Sequence, residues 1–355
     1  MSEQVDFTFL VQQATKSEYF TGIRIANELR NFLASNAHTI SKLGSGLKHS
    51  VNNIYLVGSG GSFANLLSVK YIFDSLLEIP TEAFTSYEFI WRNPSLLNSS
   101  SLVFFGSLSG ETEDTVAALR FAKLRGAKTI AAVGRGNSTL AKEAGNSFVY
   151  SAAACYEGPF VTALMLGISM TRSPLNSGLG ADLLSALRDL PSVVESAMVV
   201  ARERANKDSR LFLDSSHIYV LGSGPLSPLA YKFAMSVIME NMRIGGTYSD
   251  AVEFRHGPVE ALDHVRPDFI FLLGTDESRA LTQRTIEFCK TRSNRLLVFD
   301  AADFGAMHPL LTPLVMNSVI QWFVVYSALL RGISDLDERI FMGQGLLAVD
   351  GATWP

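Results

Sequence analysis

A repeated segment does most to constrain the fold of this chain. The stretch Ile54-Tyr-Leu-Val-Gly-Ser-Gly-Gly-Ser62 recurs 164 residues later as Ile218-Tyr-Val-Leu-Gly-Ser-Gly-Pro-Leu-Ser227. Each copy begins with an apolar run typical of a buried strand and continues directly into a glycine-rich turn. A chain of 355 residues also exceeds one ordinary hydrophobic core. The repeat therefore predicts an internal duplication of one kind of domain.

Predicted strands and helices alternate within each copy. In the first copy the predicted strands cover residues 54–57, 81–86, 102–105, 129–133 and 147–151, and the helices cover 63–77, 114–125, 138–144 and 157–170. In the second copy a strand begins at 218, others cover 269–273 and 295–299, and the helices cover 182–206, 229–242, 278–290 and 314–331. Such alternation is typical of α/β folds with a mainly parallel sheet between helices. We therefore expect two tandem, doubly wound domains, each a three-layer sandwich.

Polar stretches mark the expected domain limits. N-terminal helices are expected in residues 1–50, and the first domain in 51–180, which ends in a polar segment from 171 onward. The second domain is expected in 181–345, followed by a tail in 346–355.

Composition and local patterns argue against several classes of function. A net charge of −4 with no basic stripe does not suit nucleic acid. The apolar stretch 317–330 is shorter than a membrane span requires and contains Gln321. The N-terminus lacks the basic start and apolar core of a signal peptide, and Cys155 and Cys289 form no pattern. We therefore expect a cytoplasmic protein that binds neither nucleic acid nor membrane.

The turn from Ser107 to Thr115 is dense in hydrogen-bond donors. It reads Ser107-Leu-Ser-Gly-Glu-Thr-Glu-Asp-Thr115, between the apolar run 101–106 and a predicted helix. The first N–H groups of a helix have no partner within it and lie at the positive end of its dipole. Together with the hydroxyls they can hold a phosphate without a metal ion or a lysine. A simple Ser/Thr helix cap is the alternative, but a cap uses fewer hydroxyls.

The second copy lacks this chemistry at the corresponding turn. After the predicted strand 269–273 the chain reads Gly274-Thr-Asp-Glu-Ser278. Its carboxylates would repel an anion. We therefore expect one phosphate site per chain, built mainly on the first half.

Two of these turns resemble motifs of the sugar isomerase (SIS) domain family. Ser107-Leu-Ser-Gly-Glu-Thr112 resembles its S-x-S-G-E-T phosphate loop, and Gly58-Ser-Gly-Gly-Ser62 resembles its other contact loop, about 50 residues earlier. The resemblance implies that these loops bind the phosphate of a phosphosugar. The residues implied to bind phosphate are Gly61, Ser62, Ser107, Leu108, Ser109 and Thr112. Further candidates for contact with the substrate are Gly60, Glu88, Gly110 and Glu253.

Glu240 and His256 resemble the catalytic pair of the isomerising family members. Taken alone, Glu240 is a helix-end residue, and His256-Gly-Pro258 is a turn before a helix. Sixteen residues separate the two, however, and Glu253-Phe-Arg-His-Gly-Pro258 matches the family's E-x-x-H-G-P turn. The resemblance implies that Glu240 moves a proton between C1 and C2 of an open-chain sugar, and that His256 opens the ring or protonates a leaving nitrogen. It also implies a homodimer with a shared site, because in the family this histidine comes from the neighbouring subunit.

The C-terminal part departs from the family in one respect. Relatives that make or isomerise glucosamine 6-phosphate form a Schiff base through a lysine that follows a D-x-D segment. Asp335-Leu-Asp337 matches that segment, but no lysine follows Lys290, and the family's glutaminase domain with its cysteine nucleophile is not expected here. The resemblance therefore favours a deglycase of 6-phosphorylated fructosamines, because such a substrate already carries an amine at C1.

Other functions of the same fold remain open at this point. An aldose–ketose phosphosugar isomerase or an aldosamine-phosphate deaminase would need the same Glu and His. A non-catalytic phosphosugar sensor is a third possibility, although residues 1–50 do not resemble a DNA-binding segment. In each case the expected partner is a phosphosugar or a phosphorylated sugar–amine conjugate, with no cofactor and no metal ion.

Overall fold

The computed structural model describes residues 8, 11–12, 16–17, 24–171 and 178–342. They form two compact units. The first unit comprises the described residues of 27–188 and 338–355, and the second comprises those of 1–26 and 189–337. The predicted domain limits, 51–180 and 181–345, stay predictions, and the tail 346–355 lies outside the described residues.

The first unit is built on a parallel sheet with the strand order β2-β1-β3-β4-β5. Its strands are β1 (Asn53–Gly58), β2 (Thr81–Thr85), β3 (Ser101–Ser107), β4 (Lys128–Val133) and β5 (Asn146–Val149). Its helices are α1 (Ile25–Leu47), α2 (Gly61–Leu76), α3 (Ser86–Arg92), α4 (Glu113–Leu124), α5 (Thr139–Glu143) and α6 (Glu157–Met170). The winding direction reverses between β1 and β3. The loops that follow these two strands therefore flank the place where ligands of such sheets bind.

Helices cover both faces of this sheet. On one face, Val57 of β1 belongs to a buried cluster with Leu119 of α4. On the other face, the preceding residue of β1, Leu56, lines a small interior gap together with Phe73 of α2 and residues of α6. Helix α6 is buried along its whole length, as expected for a helix that is apolar on every side. The arrangement confirms the predicted layers of helix, sheet and helix.

The second unit repeats the same topology with one strand fewer, in the order β7-β6-β8-β9. Its strands are β6 (His217–Gly222), β7 (Gly245–Asp250), β8 (Asp268–Leu273) and β9 (Arg295–Asp300). Its helices are α7 (Leu179–Leu211), α8 (Ser227–Lys232), a π-helix (Phe233–Met242), α9 (Arg279–Lys290) and α10 (Thr312–Leu330). The limit between the units falls inside α7. The order is the one that a duplication of β2-β1-β3-β4 predicts.

Two elements were missed in the sequence. Strand β7 has the sequence GGTYSD and most of its residues are only half-buried, so it lacks the apolar run that marks a buried strand. Helix α3 follows β2 without a loop, where the sequence analysis expected the strand to continue to residue 86. Strand β7 is the edge strand of its sheet, where apolar patterning is weakest, and α3 directly follows the edge strand β2.

One apolar stretch is longer than the sequence analysis expected. Pro309–Leu330, with a mean hydropathy of 1.5, is long and apolar enough to span a membrane, and it is the only such helix in the described part of the chain. Within the second unit, however, 89% of its most apolar window is buried. Its residue Phe323 meets the rings of Phe212, Phe233 and Phe299 at 5.6–6.2 Å between centroids. The stretch therefore serves as a core helix of its unit.

Candidate active site

Ser107, Ser109 and Thr112 come together in the loop between β3 and α4. Ser107 is the last residue of β3 and is buried, while Thr112 is the N-cap of α4. The Thr112 Oγ1 lies 3.3 Å from Ser107 Oγ and 3.3 Å from Ser109 Oγ. Three of the predicted phosphate ligands therefore form one hydroxyl cluster at the carboxyl edge of the sheet.

This hydroxyl cluster keeps donors available to an anion. Ser107 Oγ accepts a hydrogen bond from Gly110 N at 3.0 Å, and Ser109 Oγ accepts one from Glu111 N at 3.2 Å. Because a hydroxyl can accept and donate at once, each serine can still donate its own proton. The Thr112 side chain makes no capping hydrogen bond to the described residues of α4. The start of α4 can therefore add amide N–H groups and its dipole to the binding of a phosphate.

The backbone of this loop depends on a glycine. Gly110 has a φ of +65°, and a Cβ there would lie 2.2 Å from Ser138 Oγ, so other residues would be strained and crowded. The neighbouring Leu108 carbonyl accepts a hydrogen bond at 3.0 Å from the loop after β4. The Glu111 carboxylate accepts a hydrogen bond from Thr139 N at 2.7 Å and is therefore held at the start of α5.

The loop after β1 lies beside the hydroxyl cluster. Gly58 and Gly106 are paired in register at the ends of β1 and β3. After Gly58 the chain passes through Gly60, with a φ of +54°, and enters α2 at Gly61. Ser62 lies in the first turn of α2 and is half-buried. The predicted contacts of this loop are therefore at the same sheet edge as the hydroxyl cluster.

A buried polar cluster joins the two loops, and the sequence did not predict it. Its members are Ser59, Ser86, Asp114 and Thr115. In the sequence, Asp114 has the pattern of an ordinary acidic residue in the first turn of a helix. The feature that sets it apart is its hydrogen bond with Ser59, 55 positions earlier, and that contact exists only in the folded chain.

Glu88 lies on α3, at the end of the neighbouring strand β2. Its Oε2 accepts a hydrogen bond from Arg92 Nε at 2.7 Å, in an exposed pair one helical turn apart. Burial, and then the negative charges of Glu113 and Asp114, raise the pKa of the adjacent Tyr87 hydroxyl. Ser86 Oγ of α3 lies 3.0 Å from Thr115 Oγ1 of α4, so α3 borders the start of α4 and hence the phosphate loops.

Glu240 lies in a π-helix. The helix predicted over 229–242 is α-helical only to Lys232, and Phe233–Met242 is π-helical. The π-helix is the wider and rarer form, and short stretches of it are frequent at functional sites. Glu240 is half-buried there, and the next residue, Asn241, donates from Nδ2 to Leu336 O at 2.9 Å.

His256 is exposed and follows a tight turn after β7. The turn is the 3₁₀ segment Glu253–Arg255, and His256 N donates to Glu253 O at 2.8 Å. The imidazole Nε2 lies 3.0 Å from Arg255 Nε, which donates to it. Asp250 anchors the turn, because its Oδ1 accepts a hydrogen bond from Val252 N at 2.8 Å.

The predicted residues thus fall into two groups. The two phosphate loops and Glu88 belong to the first unit, whereas Glu240, Glu253 and His256 belong to the second. Across the described ranges, no three His, Cys, Asp or Glu side chains are grouped so that they could hold a metal ion.

In the second unit, a carboxylate occupies the loop that corresponds to the hydroxyl cluster. The register of β6 with β8 matches that of β1 with β3, so residues 274–278 correspond to 108–112. Asp276 then stands at the position of Gly110. Its Oδ1 accepts a hydrogen bond from Ser278 N at 2.9 Å, at the start of α9. A carboxylate of the chain thus stands where the first unit has a glycine, and the expectation of one phosphate site per chain stays a prediction.

Comparison with known proteins agrees with this geometry. The SIS domain model matches residues 49–171. The chain is 30% identical to fructoselysine 6-phosphate deglycase of Escherichia coli (strain K12), over 84% of this chain and 87% of the relative. It is 33% identical to fructosamine deglycase FrlB of Bacillus subtilis (strain 168), over 77% and 86% of the two chains.

A solved structure is similar over almost the whole length. It is a Bacillus subtilis protein described as a candidate phosphosugar isomerase, 31% identical, with a TM-score of 0.76. The similarity covers 94% of this chain and 98% of the other. The two sheets, the two loops at the switch point and these relatives lead to one conclusion: this chain belongs to the SIS domain family.

Proposed function

We propose that this protein is an enzyme that cleaves a 6-phosphorylated fructosamine into a hexose 6-phosphate and a free amino acid. The observation that carries the proposal is the cluster of Ser107, Ser109 and Thr112 hydroxyls at the uncapped start of α4. A phosphate dianion suits such donors. The relatives most useful for the choice of substrate are the two named as deglycases, which the chain matches over most of their length.

In the proposed mechanism, phosphate binding positions the sugar and Glu240 moves a proton. The Glu240 carboxylate takes a proton from C1 of the open-chain ketosamine, and the C2 oxygen takes up a proton from solvent to become a hydroxyl. Return of a proton to C2 gives an iminium between C1 and the substrate nitrogen. Water adds to C1, the C1–N bond breaks, and the amine departs with a proton relayed by His256. A positioned acid or base of this kind contributes about 10²–10⁴ in rate.

The absence of a tail lysine fits this choice of substrate. No lysine follows Lys290 in the sequence. A Schiff base with the enzyme would be redundant, because the substrate nitrogen already provides the imine. The proposed chemistry therefore uses neither a cofactor nor a metal ion.

A phosphosugar isomerase is the second candidate function. It is favoured by the similarity to the Bacillus subtilis structure described as a candidate phosphosugar isomerase. Glu240 and His256 would have the same roles, and only the group at C1 of the substrate would differ.

We further propose a cytoplasmic homodimer with a shared active site. His256 is exposed on its own unit, which suits a side chain that reaches into the site of a neighbouring subunit. Closed two-fold dimers are the commonest soluble assemblies, and each would contain two such sites.

A panel of 6-phosphofructosyl amino acids tests the reaction. We expect release of glucose 6-phosphate and the free amino acid from at least one member, measured with a coupled dehydrogenase and by amine detection. Fructose 6-phosphate and glucose 6-phosphate, offered separately, serve as controls for isomerase activity. Interconversion of those two without release of amine from any conjugate would replace the proposal with the second candidate.

A further inference from the structure

We propose that Asp114 is a positioning residue for phosphate binding. Its carboxylate, in the first turn of α4, holds the loop after β1 so that the donors of both loops face one anion. The inference rests on the proposed function, since it concerns the same site. It gives a role to the buried polar cluster of Ser59, Ser86, Asp114 and Thr115.

The buried polar cluster is a closed network that connects separate elements. Asp114 Oδ2 accepts a hydrogen bond from Ser59 Oγ at 2.5 Å, and Oδ1 accepts one from Thr115 Oγ1 at 3.1 Å. Ser86 Oγ lies 3.0 Å from both Ser59 Oγ and Thr115 Oγ1. Ser86 and Thr115 are 0% and 1% exposed, and Asp114 is 8% exposed. The network therefore joins the loop after β1, the start of α3 and the start of α4 out of contact with most solvent.

The conformation of the loop after β1 depends on this network. Gly60 is exposed, with a φ of +54°, and a Cβ there would have no described neighbour within 4 Å. Ser59, by contrast, is tied down by its side chain, and its carbonyl accepts a hydrogen bond from Ser62 N at 3.1 Å. The position of Ser59 consequently sets the position of Ser62. Through Ser59, the Asp114 carboxylate connects the loop after β1 to the helix that follows the hydroxyl cluster.

The charge of Asp114 opposes phosphate binding. A carboxylate close to the start of α4 repels a nearby dianion. The helix dipole favours a carboxylate at this place, but the dipole does not account for the use of both carboxylate oxygens as acceptors. The structure uses both, one for Ser59 and one for Thr115. Positioning of the loops accounts for these two hydrogen bonds.

A double-mutant cycle tests the inference. The dissociation constants of inorganic phosphate and glucose 6-phosphate are measured by calorimetry, with Tm, for wild type, Ser59→Ala, Asp114→Ala and the double variant. We expect each single change to weaken phosphate binding about tenfold, and the double change to add little, because both single changes remove the same hydrogen bond, between Ser59 and Asp114. Ser59→Thr, which restores the hydroxyl, should recover most of the affinity. A purely structural role would lower Tm without this pattern in affinity.

The duplication supplies a matched control. Ser223 has the position in the second unit that Ser59 has in the first, and its Oγ donates to Asp250 Oδ1 at 2.8 Å. Ser223→Ala therefore removes an equivalent hydrogen bond from the other sheet, and the affinity for phosphate should stay at the wild-type value.

The outcomes separate this inference from the proposed function. If wild type binds neither phosphate ligand, both are wrong. If wild type binds them and Ser109→Ala weakens the binding, but Ser59→Ala does not, only the positioning role of Asp114 is wrong. Additive losses in the double variant would also contradict it, because Asp114 would then act independently of Ser59.

Discussion

The loop after β3 and the loop after β8 hold the same place in their sheets and have opposite chemistry. The first presents the hydroxyls of Ser107, Ser109 and Thr112 around Gly110. In the second, Leu273 ends the strand and Asp276 stands at the position of the glycine. The same order of strand, turn and helix thus forms a candidate phosphate site in one unit and a loop with its own carboxylate in the other.

The difference shows how little is needed to close an anion site. The N–H groups at the start of a helix can donate to a side-chain carboxylate as well as to a phosphate, since both are anionic acceptors favoured by the dipole. Asp276 lies close to such a start, where its Oδ1 accepts a hydrogen bond from Ser278 N, directly before α9, at 2.9 Å. Under the proposed function the two units then divide the work. The first binds the phosphate, and the second contributes Glu240 and His256.

The largest expected effect tests the catalytic role of the second unit. Glu240→Gln should lower kcat on a fructosamine 6-phosphate by about 10²–10⁴, because glutamine keeps the shape but cannot take a proton. The dissociation constant of the substrate should change little. Steady-state kinetics measures the first quantity and calorimetry the second. The exposed Glu260, changed to Gln, is the control and should leave kcat unchanged.

Solvent isotope provides an independent check of the same step. Turnover by wild type in D₂O should place deuterium at C2 of the glucose 6-phosphate, detected by NMR. Full activity in Glu240→Gln, or amine release without proton transfer to C2, would contradict the mechanism.

A mixing experiment tests whether the second unit serves a neighbouring subunit. Glu240→Gln and His256→Ala are each expected to be inactive alone. When the two variants are refolded as an equal mixture, half of the dimers should be mixed, and each mixed dimer should contain one intact site out of two. About a quarter of the wild-type activity should therefore return. Native mass spectrometry verifies that mixed dimers form. If they form and the activity stays at the level of the parents, both residues act within one subunit.

Substitutions in the hydroxyl cluster test whether the first unit binds the phosphate. Ser107→Ala, Ser109→Ala and Thr112→Ala should each raise KM with a smaller change in kcat, because the phosphate is remote from C1 and C2. Each lost hydrogen bond to a dianion should cost about 1.5–3 kcal/mol of binding free energy. Thr275→Ala, the counterpart of Ser109 in the second unit, is the control. Equal effects of Ser109→Ala and Thr275→Ala on KM would contradict the assignment of the phosphate to the first unit.

The smallest expected effect comes from an attempt to create a phosphate site in the loop after β8. Asp276→Gly copies the glycine at position 110 and removes the carboxylate that accepts a hydrogen bond from Ser278 N, directly before α9. We expect the free energy of unfolding to fall by about 1 kcal/mol through the lost hydrogen bond. We also expect weak binding of a second phosphate, seen in calorimetry as a stoichiometry above one. A stoichiometry of one in the folded variant would show that Asp276 alone does not close the site.

Much of the fold follows from local patterns in the sequence. The alternation of apolar strands with helices, and the repeat at 164 residues, predict two parallel sheets with their binding loops at the carboxyl edges. The convergence of Ser107, Ser109 and Thr112 also follows from the sequence, because residues this close in one turn meet whatever surrounds them. Strand β7 was missed because it lies at an edge and carries little apolar signal, and helix α3 was missed because it begins directly at the end of β2.

The tertiary structure alone decided the features that depend on distant residues. The π-helical form of Phe233–Met242 is set by its surroundings, because intrinsic propensity favours the α-helix. The bond between Ser59 and Asp114 spans 55 positions, so neither residue signals it in the sequence. Charge predicted that Asp276 would oppose phosphate, but only the folded loop shows its carboxylate on the amide of Ser278. Contacts between residues close in sequence can thus be predicted from the local sequence, whereas the relative positions of side chains far apart in sequence depend on the packing of whole elements.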